Sequence, residues 1–179
     1  MGLRNRWNYS GHPYFITTTV VEWTNVFKNS LYFDILCKSL VFCKEKFTCR
    51  LLAYCLMPNH IHLIVWPSLN TAISDFMRDF KKYTAVQVRM LLEKDGEIEL
   101  LDVLRKNARG MRGQIFKLWK SRFDDLILTK TETINTKINY IHDNPVRKGL
   151  VSKPEDWFYS SARDYLSIGS SAIPVDRDW

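Results

Sequence analysis

Residues 48–57, TCRLLAYCLM, and 60–66, HIHLIVW, form two almost unbroken apolar runs parted only by Pro58 and Asn59. Runs this short, with a proline-asparagine break between them, read as two strands of a β-hairpin. The rest of the chain orders itself around that pair. Residues 14–21, YFITTTVV, are β-branched and aromatic and predict a strand. Asn29 and Ser30 offer caps for a helix over 31–46, whose apolar residues recur at three and four. A second long helix is expected over 71–94, capped near Asn70 or Thr71 and stopped by Asp95-Gly96. A helical piece over 97–108 follows, then FKLWKSRFDDLIL as a strand with an aromatic approach. TETINTKINYIHDN predicts a short helix ended by Pro145, because the residue before a proline resists helical geometry. Pro154-Glu-Asp marks one more helix start, ahead of the aromatic run Trp157, Phe158, Tyr159. The order strand, helix, strand, strand, helix, strand, helix is a split βαβ pattern. The expected fold is a ferredoxin-like α+β sandwich with a central antiparallel sheet and an appended C-terminal helix.

At 179 residues the chain has room for one domain, expected over 1–179 with a core at 14–165, a short N-terminal arm and a C-terminal tail. A hydrophobic fraction of 46% with 25% charged residues excludes disorder, collagen and coiled coil. No apolar run approaches the roughly 18 residues of a membrane helix and the N-terminus has no signal core, so a cytoplasmic protein without a membrane partner is expected. The net charge of +7 favours a polyanionic partner. Cys37, Cys43, Cys49 and Cys55 fit no C-x-x-C pair and are read as reduced, buried, inert thiols.

Alternate residues of a strand face opposite ways, so Ile61, Leu63 and Val65 make a core face while His60 and His62 share the other. Their Cα atoms are expected about 7 Å apart, close enough for both imidazoles to meet one divalent cation. The plainer reading is a pair of histidines on a wet sheet face. In TKINYIHDNP, Ile134, Ile138 and Ile141 make one apolar stripe. Tyr140 and Asn144 lie off it on one flank with Lys137 beside them, and His142 falls on the opposite flank.

MPNHIHLIVWP, the SDFMRDFKKYT helix, LWKSRFDD and INYIHDNPVRKGLV together resemble the REP-associated single-tyrosine transposases, relatives of the IS200-type transposases of the HUH endonuclease class. The resemblance runs from about 14 to 165. It implies that His60 and His62 are metal ligands, with Asn144 the third, and that Tyr140 is the nucleophile. It further implies a transposase that nicks and rejoins single-stranded repeat hairpin DNA through a 5′-phosphotyrosine bond, with Mg²⁺ or Mn²⁺ polarising the scissile phosphate. The protein would then be bacterial, nucleoid-associated and monomeric, with the intertwined dimer of insertion-sequence relatives as the alternative. The chain departs from the pattern at Lys120, where relatives often carry glutamine after the tryptophan, and at Leu126 and Thr129, where they often carry histidine and arginine. These positions bear on which DNA sequence is read.

From Val103 to Phe123 there are seven Lys/Arg and no acid, interleaved with Phe116, Trp119 and Phe123. Basic residues track phosphates and aromatic faces stack unpaired bases. Arg105, Lys106, Arg109, Arg112, Lys117, Trp119, Lys120 and Arg122 are therefore candidate DNA contacts, with Lys81, Lys82 and Lys137. The plainer reading is a solvated loop with Trp119 and Phe123 in the core. Arg4, Arg6 and Trp7 are weaker candidates, and Arg147 and Lys148 either contact phosphate or cap their helix. Tyr83 is a rival nucleophile, although Phe76, Phe80 and Val86 around it suggest packing. Two rival functions remain: a replication initiator or relaxase with the same histidine-tyrosine chemistry, and a non-catalytic nucleic-acid-binding module on the same sandwich.

Overall fold

The computed structural model of the protein describes residues 11–179. Strands β1 (Tyr14–Thr19), β2 (Arg50–Leu56), β3 (His60–Trp66) and β4 (Asp124–Ile127) form one sheet in the order β2-β3-β1-β4. Every neighbouring pair is antiparallel. Helices α1 (Ser30–Lys46) and α2 (Ile73–Lys94) provide the two crossovers, which completes the expected split βαβ sandwich. Helices α3 (Ile98–Lys106), α4 (Thr131–Arg147) and α5 (Ala162–Leu166) are added to it.

The two faces of β3 serve different cores. Ile61, Leu63 and Val65 pack with Leu36 and Leu40 of α1 and Phe76, Met77 and Phe80 of α2. Ile64 on the other face joins Ala53, Cys55 and the Ile134, Ile138, Ile141 stripe of α4. Helices therefore cover both sides of the hairpin, which explains why β2 and β3 are apolar almost throughout. The outer edge of β2 is covered as well. Leu56 N–H bonds the Tyr159 carbonyl, Ser161 N–H the Tyr54 carbonyl, and Leu51 N–H the Asp176 carboxylate at 2.8 Å. An edge tied to the tail in this way cannot recruit a foreign strand.

Several boundaries differ from the sequence expectation. Asn29 caps α1 by accepting from Leu31 N–H at 3.0 Å, as read. Thr71, in contrast, does not cap α2: its hydroxyl donates to the Phe47 carbonyl at 2.9 Å, and the helix starts at Ile73. Only Asp124–Ile127 of the expected FKLWKSRFDDLIL strand pairs, because the preceding segment turns aside to an isolated Val20–Trp119 bridge just past β1. Pro145 does not end α4, which runs on to Arg147. The helix stops one turn later in a Schellman arrangement. Gly149, at φ 68°, lets its N–H reach the Val146 carbonyl and Leu150 N–H reach that of Pro145. Pro154–Asp156 forms only a 3₁₀ turn. Cys43, Cys49 and Cys55 are buried and Cys37 half-buried, all as free thiols. Burial pushes the Cys43 and Cys49 thiols up to about 11, away from reactive thiolate.

Candidate active site

His60 and His62 leave β3 on the α4 side, each only 4% exposed, with ring centroids 4.9 Å apart. The sequence left open a wet sheet face; α4 and the strand ends dry it instead. His60 Nδ1 lies 2.7 Å from Asn59 Oδ1, an oxygen that can only accept, so this nitrogen carries the proton and Nε2 presents its lone pair. His62 Nδ1 lies 2.8 Å from the Thr17 hydroxyl on the paired strand β1. A hydroxyl can donate or accept; when His62 is the donor, Nε2 is left with its lone pair. Burial holds both imidazoles well below their ordinary range, helped by Lys148 at His60 and by His60 and Lys137 at His62, while a hydrogen bond with Asn144 opposes the shift at His62. Neutral imidazoles with free nitrogen lone pairs are the form a cation requires.

Helix α4 brings the remaining groups. Its isoleucine stripe docks on the sheet, so the off-stripe flank with Tyr140 and Asn144 lies along the histidines. The Tyr140 ring stands 5.6 Å from that of His62, edge to face, and the residue is 36% exposed, open to a large substrate. Asn144 is buried and donates from Nδ2 to the Tyr140 carbonyl at 2.8 Å, which turns Oδ1 away from its own helix. Lys137 Nζ lies 4.7 Å from the Phe15 ring centre and 5.4 Å from that of Tyr140. Arg147 Cζ is 5.3 Å from the Tyr140 ring centre, so the phenol is flanked by two cations. His142 faces elsewhere, with Nε2 2.9 Å from the Ser161 hydroxyl, and burial holds it down at about 4. Tyr83 is exposed on α2.

Some residues of the site escaped sequence reasoning. Phe15 stacks on His62 at 5.7 Å and meets Tyr140 edge to face at 5.9 Å. Trp23, 53% exposed, lies edge to face on His60 at 5.5 Å. It reaches that position through a left-handed turn, with Glu22 at φ 54° and Trp23 at φ 57°, unusual for residues with large side chains. The only sequence signal was β1 alternation, which puts Phe15 and Thr17 on one face.

Two imidazoles and an amide oxygen make a sparse, hard-to-intermediate donor set with one side open. Among the described residues no group of three or more His, Cys, Asp or Glu stands together as an alternative cage. The residues present fit a divalent cation that completes its shell with substrate oxygens.

The basic segment divides. Lys81 donates to the carbonyls of Lys120 at 2.6 Å and Ser121 at 3.3 Å, tying that loop to α2. Lys120 extends over the Trp23 ring, 4.7 Å from its centre. Lys82, Lys106, Arg109, Arg112 and Arg122 are exposed and Lys117 is half-buried, while Arg105 pairs with Asp102 at 3.4 Å. Trp119 takes the core position that the sequence left open beside base contact. It is 4% exposed, its indole N–H donates to the Thr84 hydroxyl at 2.9 Å, and it packs on Phe27 and Phe80, so it is a core residue. Arg4, Arg6 and Trp7 lie outside the described residues.

The fold is a ferredoxin-like α+β sandwich that brings His60, His62, Tyr140 and Asn144 together. The chain belongs to the IS200-like transposase family, whose sequence profile matches residues 9–100, just over half of it. That stretch contains His60 and His62, whereas α4 with Tyr140 lies beyond it. The chain is similar to a Haemophilus influenzae protein provisionally described as a REP-associated tyrosine transposase. Identity is 27% over 117 residues, spanning 65% of this chain and 61% of the relative. Its fold matches a solved REP-associated tyrosine transposase bound to a REP hairpin, at TM-score 0.69 and 18% identity over 100% of this chain and 94% of the other. Among the described residues no helix is long and apolar enough to cross a membrane.

Proposed function

We propose that this chain is a single-domain DNA-nicking and rejoining transposase that acts on single-stranded repeat hairpins. The observation that carries the reading is the meeting of Tyr140 with His62 inside one chain, at 5.6 Å between rings. Tyr140 Oη attacks the scissile phosphorus. The Oη–P bond forms, the P–O3′ bond breaks, the phenolic proton is lost and the departing 3′ oxygen takes one up. The strand is left with a 3′-OH and a 5′-phosphotyrosine, and attack by a 3′-OH on that linkage reseals it. His60, His62 and Asn144 would hold Mg²⁺ or Mn²⁺. When bound, the ion neutralises charge developing on the phosphate oxygens. Lys137 and Arg147 flank the phenol and receive the phosphodiester anion once it is attached there.

Because nucleophile and histidines meet in cis, the centre needs no second copy, which supports a monomer over an intertwined dimer. The hairpin substrate is proposed from the solved relative's bound REP hairpin and from the chain's basic surface. A denaturing gel with end-labelled hairpin DNA and Mn²⁺ tests the reading. A covalent adduct that disappears in Tyr140→Phe and with EDTA is expected. Retention of the adduct in Tyr140→Phe, or hairpin binding without any adduct, overturns it.

A further inference from the structure

A cleft of about 770 Å³ lies away from the histidine pair, between α2 and residues 111–123. Every charged residue that lines it is a cation: Arg78, Lys81, Lys82, Arg89, Lys117 and Lys120. Arg78 pairs with Asp75 and Asp79, and Arg89 approaches Glu93 at 4.0 Å. Lys82, Lys117 and Lys120 have no carboxylate partner among the described residues.

Between these cations much of the lining is apolar, with the polar Ser74, Gln114 and Ser121 among it. Val86 and Ile115 are exposed, the latter at 76%, and Phe116 and Phe123 are half-buried. A folded chain gains nothing from leaving such side chains in water beside unpaired ammonium groups. Alternating cations and flat or branched apolar surface match one ligand chemistry, a strand whose phosphates and unpaired bases both need partners. A duplex keeps its bases inside and would leave the apolar lining uncovered.

The cleft also leads to the centre. Lys120 on its wall lies over Trp23, and Trp23 lies on His60. The same segment is tied to β1 through Lys120 N–H and the Thr19 carbonyl at 2.8 Å, and Thr19 pairs with His60 across the sheet.

We propose that this cleft binds the unpaired DNA strand flanking the hairpin and guides it past Trp23 to the histidine pair. The assignment of that strand rests on the proposed function, but binding can be read without cleavage. The full-length protein, free of metal, is titrated against a labelled oligothymidylate of about 12 nucleotides by fluorescence anisotropy. In Lys82→Gln/Lys117→Gln the affinity should fall on the order of 10-fold, and the log-log salt slope should flatten by about 1.4, roughly 0.7 for each lost phosphate contact. Ile115→Ser, which touches no charge, should weaken binding and leave the salt slope unchanged. Lys38→Gln/Lys153→Gln removes the same charge from exposed positions outside the cleft and should bind as the parent does.

Cleft variants that behave like that control overturn the proposal, as does an equal loss of affinity for a duplex of the same length. Adduct formation through Tyr140, read in parallel, separates the two claims. Adduct without any cleft effect sinks the cleft alone. A cleft effect without adduct upholds the cleft and sinks the catalytic reading.

Discussion

The side-chain amide of Asn144 donates to the backbone carbonyl of Tyr140, one helical turn earlier, at 2.8 Å. A carbonyl can only accept, so this bond decides which end of the amide is which and turns Oδ1 outward. One helix turn therefore sets the tyrosine and the amide oxygen in a fixed relation before any substrate arrives.

Asn144→Ala should raise the Mn²⁺ concentration for half-maximal adduct by roughly 10- to 100-fold, the usual effect of weakening a metal shell. Its cost in stability should be only about 1 kcal/mol, that of one hydrogen bond. A Mn²⁺ titration of adduct yield checks this. An unchanged midpoint would remove Asn144 from the ligand set.

Thr17 fixes the ring of His62 through Nδ1. Thr17→Val should lower adduct yield at limiting Mn²⁺ by roughly 10-fold or more. Thr17→Ser should restore most of it, because the hydroxyl and not the methyl makes the bond. Equal loss in both variants would indicate a packing role only.

Trp119 is expected to matter for folding. Trp119→Ala should cost about 3–5 kcal/mol in urea denaturation, as for other large buried aromatics. Loss of DNA affinity with stability intact would contradict the burial of this residue.

Acid should destabilise the protein. His60, His62 and His142 are all held below the ordinary imidazole range by burial, His142 at about 4. The unfolded chain binds their protons from about pH 6.5 downward, while the folded chain resists until about pH 4 at His60 and His142 and about pH 3 at His62. Stability present above pH 6.5 is thus lost as pH falls through that window, by at most about 1.4 kcal/mol per pH unit for each histidine. Thermal unfolding of the metal-free protein at pH 7.5 and 5.0 measures this. In His142→Gln the slope should be shallower, and an unchanged slope would exclude His142 as a contributor.

Much of the molecule was legible locally. Strand alternation placed His60 and His62 on one face and Ile61, Leu63 and Val65 on the other. Helical periodicity separated the Ile134, Ile138, Ile141 stripe from Tyr140 and Asn144, and the structure packs that stripe as read. Local rules failed where tertiary contacts outbid them. Thr71 had a cap to offer but found the Phe47 carbonyl. Pro145 broke the expected ladder, yet the buried packing of α4 and the Gly149 stop carried the helix one turn further.

The chain's own periodicities determined which side chains share a face, because strand and helix repeats are properties of the backbone. The sequence also placed seven Lys/Arg and no acid within residues 103–123. Only the tertiary structure decided what those faces meet. Phe15 and Thr17 come to His62 across a strand pairing 45 residues apart, and Trp23 comes to His60 through a strained turn. Trp119 is buried against Phe27 and Phe80 while Lys120, its neighbour, is exposed and lies over Trp23. Such meetings depend on the order of the sheet and the docking of α4. Those follow from burying two apolar surfaces at once, a requirement that no single segment of the sequence expresses.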